Sequence, residues 1–154
     1  SYINARKQHR SITDISEING DGIYIYKGPS PLNIDAPLSA VFNNNIVIIT
    51  TGVTNINTNF NSTGSVAIVA SQINFDSIVT EAKGLFIASD VTTGTTINQG
   101  LKIIGNLVSQ TSLTNGREWS DLNKPSLFIV FDKQKYIDLL PYLSTASYEW
   151  RQVQ

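Results

Sequence analysis

Residues 36–75 read APLSAVFNNNIVIITTGVTNINTNFNSTGSVAIVASQINF, forty consecutive residues without Asp, Glu, Lys, Arg or His. Short β-branched runs alternate there with Asn, Ser, Thr and Gly, which interrupt the stretch too often for a membrane span. Such runs suit strands that pair with neighbours on both sides, because a charge in one layer would repel its equivalent in the next. This stretch therefore predicts an all-β fold built from stacked strands.

The composition of the whole chain agrees with this prediction. Its 154 residues suit one domain, and only 15% of them are charged, against about 25% in ordinary soluble domains. Ile, Ser, Asn and Thr are the most frequent residues, whereas helical proteins favour Ala, Leu, Glu and Lys. A net charge of −1 argues against binding to nucleic acids or anionic membranes. Without Met, even at residue 1, the chain is expected to be a processed piece of a longer polypeptide.

Apolar quartets recur along the chain at nearly regular intervals. They begin at Ile23, Ile46, Val66, Leu85 and Leu101. The spacings of 16 to 23 residues are typical of solenoids, in which each coil contributes a few short strands. We predict a parallel β-helix (β-solenoid) of about four to five short coils with a C-terminal strand and short helix as its cap.

A second series of apolar residues, each flanked by polar residues, supports the same architecture. Ile34, Ile56, Phe75 and Ile97 are 22, 19 and 22 residues apart, and strand alternation would turn them inward as one column. Their polar neighbours would then stack outward as ladders, in which Asn amides hydrogen-bond to one another. The predicted partner surface consists of Asn33, Asn55, Asn74, Asp35, Asn57, Asp76 and Asn98.

The quartets also predict which residues face the core. The inward columns are Ile46, Val66, Leu85 and Leu101, and then Ile48, Ile68, Ile87 and Ile103. The outward column between them is Tyr24, Val47, Ala67, Phe86 and Lys102. Because most of this outward column is apolar, it needs a cover, and we expect the C-terminal segment to supply it.

The C-terminal segment has its own pattern. Residues 127–131 read LFIVF and predict a strand, and residues 133–140 predict a short helix with Asp132 as N-cap and Pro141 as terminator. The segment 143–154 ends with Tyr148, Trp150 and Val153, which predict a final extended strand. We therefore divide the chain into an N-terminal lead or cap (1–22), a β-solenoid (23–113) and a capping segment (114–154).

Candidate catalytic groups are few. His9 is the only histidine and the chain has no Cys, whereas triads and metal sites need several converging groups. We therefore interpret His9 as a solvated residue. Asp35 and Asp76 would lie two layers apart, about 10 Å, at the edge of the range for inverting glycosidases. With Asn57 they could also form a weak Ca²⁺ site, but no calcium-loop motif is present, and a plain ladder is favoured. We expect no catalytic residues, no metal and no cofactor.

Several motifs resemble uncharacterised exported β-helix proteins of bacteria. The resemblance covers about residues 45–154 and rests on layers reading SVAIVA from Ser65, GLFIA from Gly84 and GLKIIGNL from Gly100. An Arg-containing loop at Arg117 follows, then the Pro-started strand PSLFIVFD and a closing aromatic strand YEWR. The resemblance implies a surface or pilus-associated protein, and its motifs concern fold and location rather than activity.

We expect a non-enzymatic extracellular structural or adhesion module, acting as part of a bacterial cell surface, pilus or filament through the rigidity of its coils. The expected partners are other protein subunits, by self-assembly or within a larger surface assembly, and glycans stay open as partners. No nucleic acid and no membrane span are expected. Two alternatives stay open: a carbohydrate-binding or carbohydrate-active β-helix using outward Asp and Asn, and a polymerising scaffold similar to bactofilins.

Overall fold

A computed structural model describes residues 8–35 and 43–143 of the chain. Within these ranges the strands are β1 (Arg10–Ile12), β2 (Gly22–Tyr26), β3 (Leu32–Ile34), β4 (Ile46–Ile49), β5 (Val53–Ile56), β6 (Val66–Phe75), β7 (Glu81–Ile97), β8 (Leu101–Glu118) and β9 (Leu127–Phe131). A 3₁₀-helix spans Ile15–Glu17 and an α-helix, α1, spans Lys133–Leu143. Every pairing between these strands is parallel. The chain is a β-solenoid of about 4 turns, which confirms the predicted all-β parallel β-helix with a short C-terminal helix.

Three sides make up each complete coil. The first side stacks β1, β2 and β4 and continues through the first half of β6 into β7 and β8. The second side stacks β3 and β5 on the second half of β6 and continues in the same two long strands. The third side begins at a bridge between Phe60 and Ala82 and continues from the start of β8 to β9. Since β7 and β8 bend around corners, each serves all three sides.

The core lies on the solenoid axis and consists of columns of stacked side chains. Ile48, Ile68 and Phe86 follow one another on the first side, and each is fully buried. The Phe86 ring makes edge-to-face contacts with Phe75 and Phe60 from the other two sides, at centroid distances of 5.2 and 5.9 Å. Such edge-to-face contacts add to the free energy gained from burial. The aromatic residues thus join the three sides at the middle of the stack.

The register of the first side differs by one residue from the predicted columns in two coils, those of β2 and β7. Ile23 pairs with Val47 and Ala67 pairs with Leu85, so Ile23 and Leu85 face outward while Tyr24 and Phe86 enter the core. The quartet at Leu101 belongs to the third side, where Ile103 pairs with Ala82. Those parts of the predicted columns are wrong. Both faces of the first side are apolar, so alternation of hydrophobicity could not show which face is inward.

The outward apolar strip is covered by α1, as predicted. Leu139 is fully buried against a strip formed by Ile23, Val47, Ala67 and Leu85. Two polar contacts fix the helix: Ser65 donates its hydroxyl to Asp138 at 2.6 Å, and Lys135 donates to the Gly64 carbonyl at 2.7 Å. The helix therefore closes the second apolar face of the sheet, which would otherwise be exposed to water.

The ends of α1 match the prediction only in part. The Asp132 carboxylate accepts the backbone N–H of Gln134 at 3.0 Å, as expected of an N-cap. Pro141 lies inside the helix, which continues to Leu143, so the prediction that it ends the helix is wrong. The predicted final strand in residues 148–154 lies outside the described residues. No helix in the described ranges has the length and apolarity needed to cross a membrane.

The docking of α1 should depend on pH through Asp138. The hydroxyl of Ser65, and then the Gln134 side chain, hold the pKa of its carboxyl below the ordinary value of 3.8. A lowered pKa stabilises the docked helix above pH 3.8, and this contribution is lost as pH falls through the lower folded-state value. We expect the helix to loosen as the pH is lowered. Near-UV circular dichroism, recorded during an acid titration, would detect this loosening. Asp138→Asn, whose amide oxygen still accepts from Ser65, should lose that part of the pH dependence.

Thr54 offers a stabilising substitution. It is fully buried in a column with Ile73, and its hydroxyl has no hydrogen-bond partner among the described residues. Burying an unpaired hydroxyl costs free energy. Thr54→Val keeps the shape and removes that cost, so we expect the free energy of unfolding to rise by about 1 kcal/mol, measured by denaturant titration. A fall in stability would show that the hydroxyl has a partner outside the described residues.

Candidate functional site

The outward ladder predicted on the second side is present. Asn55 donates its amide to Asn33, and Asn74 donates to Asn55, each at 2.9 Å. Thr92 adds the next step, donating its hydroxyl to Asn74 at 2.6 Å. Each step joins one coil to the next, as expected for stacked amides. The amides are used to hold the coils together, so this ladder stiffens the flat face of the solenoid.

The parallel row of Asp35, Asn57 and Asp76 is only partly joined. Asn57 donates its amide to Asp35 at 2.6 Å. The Asp76 carboxylate turns instead to its own loop, where it accepts the backbone N–H of Ile78 at 3.0 Å and the hydroxyl of Ser77. Within residues 8–35 and 43–143, no group of three or more His, Cys, Asp or Glu could hold a metal ion. These contacts are those of a coil corner.

Asn98 does not lie in this row. Phe75 pairs with Thr93 rather than with Ile97, and Ile97 is 67% exposed. Asn98 lies beyond the end of β7 at positive φ (59°), and its side chain accepts the N–H of Ser120 at 2.8 Å. The predicted placement of Ile97 and Asn98 is therefore wrong. The true step is 18 residues, and Thr93 fills the inward position without the apolar side chain that the pattern required.

Arg117 is a buried residue whose structural role the sequence did not reveal. It is only 2% exposed, and its guanidinium donates to the backbone carbonyls of Asp76 at 2.7 Å and Gly100 at 3.4 Å. Burial lowers its pKa, and the charge of Asp76 opposes that shift. Its Nε has no partner among the described residues. Arg117 thus links, through hydrogen bonds, the corner after β6 (Asp76) and the corner before β8 (Gly100).

The C-terminal end of the described stack is open. In the described part of the chain no strand follows β9, so one edge of this strand is unpaired. Its side chains stay partly exposed on both faces, and so does Leu113 at the end of the second side. The exposed fractions are Phe128 40%, Ile129 44%, Val130 44%, Phe131 64% and Leu113 49%. Ile129 continues an inward column below Ile103, so the core is partly exposed at this end of the described stack.

The N-terminal end is closed. Ile12, Ile15 and Ile18 cover the first coil, and each is 6% exposed or less. Asp14 and Glu17 form a reciprocal capping box around the 3₁₀-helix. These hydrogen bonds lower the pKa of both carboxyls. The two ends of the solenoid are therefore chemically different, one polar and capped and the other apolar and open.

Comparison with known proteins adds no family to these observations. A scan against protein-family models gave no match, and searches of curated proteins and of solved structures gave none either. The case for a function therefore rests on the ladder and on the contrast between the two ends.

Proposed function

We propose that this chain is a non-enzymatic structural module of a bacterial surface assembly, such as a pilus or filament, in which it joins other protein subunits through its open end. The observation that carries the proposal is the exposed apolar cross-section formed by β9 and Leu113. Soluble monomers seldom leave such a patch uncovered, and an unpaired apolar edge strand favours association.

The rigidity of the stack supports a mechanical role. Coils are joined by parallel backbone ladders on all three sides and by the side-chain ladder through Asn55. In such a stack each coil contacts its neighbours directly, so a load at one end is transmitted through many hydrogen bonds. A stiff stack that associates with other subunits through the end formed by β9 and Leu113 would suit a module of a surface assembly.

An extracellular location is supported by the sequence. The near absence of charge on the Asn- and Thr-rich faces and the resemblance to exported β-helix proteins of bacteria both favour it. The proposal therefore places the chain outside the cell, with protein subunits as its partners and no cofactor.

Localisation and assembly in the producing cells would test the proposal. We expect the protein to react with antibody on intact cells and to sediment with a surface assembly. Phe131→Lys, at the open end, should release it into the soluble fraction. The matched control Ile78→Lys, at an exposed residue (65%) in the loop after β6, should leave it in the assembly. A cytoplasmic location, or turnover of a polysaccharide by the purified chain, would contradict the proposal.

A further inference from the structure

We propose that two copies of this chain join end to end through their open ends, with β9 of one copy antiparallel to β9 of the other. The inference rests on the proposed function and names the partner of that same surface as a second copy. The product is a closed dimer with two-fold symmetry, because the surface that joins is the same on both copies.

The closed N-terminal end disfavours head-to-tail stacking. A filament would need β9 of one copy to pair with β1 of the next. However, β1 is only three residues long, and its Arg10 is exposed and held by the side chains of Asn19 at 2.6 Å and Tyr24 at 3.2 Å. A short, charged strand is a typical way to protect a sheet edge from further pairing. Within residues 8–35 and 43–143, the open end therefore has no matching surface at the other end of the stack.

The β9 sequence is complementary to itself. With Ile129 on the two-fold axis, Leu127 lies opposite Phe131 of the other copy and Phe128 lies opposite Val130. This pairing sets 127, 129 and 131 of both copies on one face of the joined sheet and 128 and 130 on the other. Inward columns thus meet inward columns, and the exposed cores of the two copies cover each other.

Charge also favours two copies in the antiparallel arrangement. The strand itself is uncharged, with Lys124 before it and Asp132 directly after it. Antiparallel pairing brings the Lys124 end of one strand near the Asp132 end of the other, so opposite charges approach each other at both ends of the pair. Parallel pairing of the same strands would instead set Lys124 beside Lys124.

Sedimentation equilibrium of the purified chain tests the association. We expect a monomer–dimer equilibrium over about a hundredfold range of concentration, as mass action requires, with no larger species. Ile129→Lys would set two charges against each other on the axis and should raise the dissociation constant at least about tenfold. Ile78→Lys, the matched control, should leave it unchanged. A monomer at every concentration, or equal effects of the two variants, would overturn the inference.

Disulfide trapping tests the symmetry. The chain has no Cys, so Ile129→Cys places a single thiol on the axis, directly opposite its copy. We expect mild oxidation to give a covalent dimer, whereas Ile78→Cys should stay monomeric. Failure of Ile129→Cys to cross-link while circular dichroism shows an intact fold would overturn the antiparallel pairing. A ladder of oligomers from the double variant Ser11→Cys, Ile129→Cys, absent from either single variant, would replace it with head-to-tail stacking.

The two proposals can fail separately. If the purified chain is monomeric but Phe131→Lys still releases it from the cell surface, the open end binds a different subunit and only the dimer is wrong. If the dimer forms but the protein is cytoplasmic, the surface function is wrong and the pairing stands.

Discussion

Replacing Ile68 with aspartate is expected to prevent the chain from folding. Ile68 is fully buried in the middle of a first-side column, between Ile48 and Phe86. An aspartate there would bury a carboxylate with no cation in the column to pair with it. The cost should exceed about 4 kcal/mol, a large part of the total stability of about 5–15 kcal/mol typical of a domain. We expect the far-UV circular dichroism of a sheet to be lost or the midpoint of denaturation to fall sharply.

Two controls separate burial from the substitution itself. Ile78→Asp introduces the same change at an exposed residue and should cost less than about 0.5 kcal/mol. Asn57→Ala removes one outward contact, with Asp35, and should cost about 1 kcal/mol. If Asn57→Ala and Ile68→Asp lowered the melting temperature equally, the assignment of inward and outward columns would be wrong.

Gly105→Ala is expected to be the most damaging small substitution. Gly105 has φ of +132°, a region that essentially only glycine adopts. A Cβ at this position would overlap the backbone carbonyl oxygen of Gly84 in the coil before it, and neither backbone can move without breaking the pairing between β7 and β8. Strain and overlap together should cost about 3 kcal/mol or more, measured by thermal or denaturant unfolding.

Gly20 supplies the matched control. A Cβ there would meet nothing within 4 Å, so Gly20→Ala should change the free energy of unfolding by less than about 0.5 kcal/mol. A comparable loss of stability in the two variants would mean that the corner at Gly84 and Gly105 is not as tight as described.

The architecture was predictable because stacking imposes regularity on the sequence. Coils of similar length must repeat their apolar residues at similar intervals, and stacked positions must avoid like charges. The Asn33, Asn55 and Asn74 ladder could be predicted for the same reason. The cover over the outward strip followed from its hydrophobicity, since an apolar face must be buried against something.

The sequence did not reveal the places where the spacing of inward residues departs from the coil repeat. Thr93 takes an inward position that Phe75 fills one coil earlier, so the apolar pattern indicated Ile97, four residues too late. The third side begins with the single bridge at Phe60, so it adds few apolar residues to the repeat in the sequence. The pattern therefore could not distinguish the Leu101 quartet, which is on the third side, from the quartets of the first side. The role of Arg117 was hidden because its partners are backbone carbonyls from residues 17 and 41 positions away, which no side-chain pattern reports.

The path of α1 gives the molecule a polarity. The helix starts directly after β9, where Tyr136 meets Phe131, and ends beside the first coil, where Tyr142 and Gln8 line the same cleft. Both outermost described segments therefore emerge at the capped pole. A tether attached at Gln8 or Leu143 would hold the molecule by that end and leave β9 pointing away, so orientation on a support would need no additional contact.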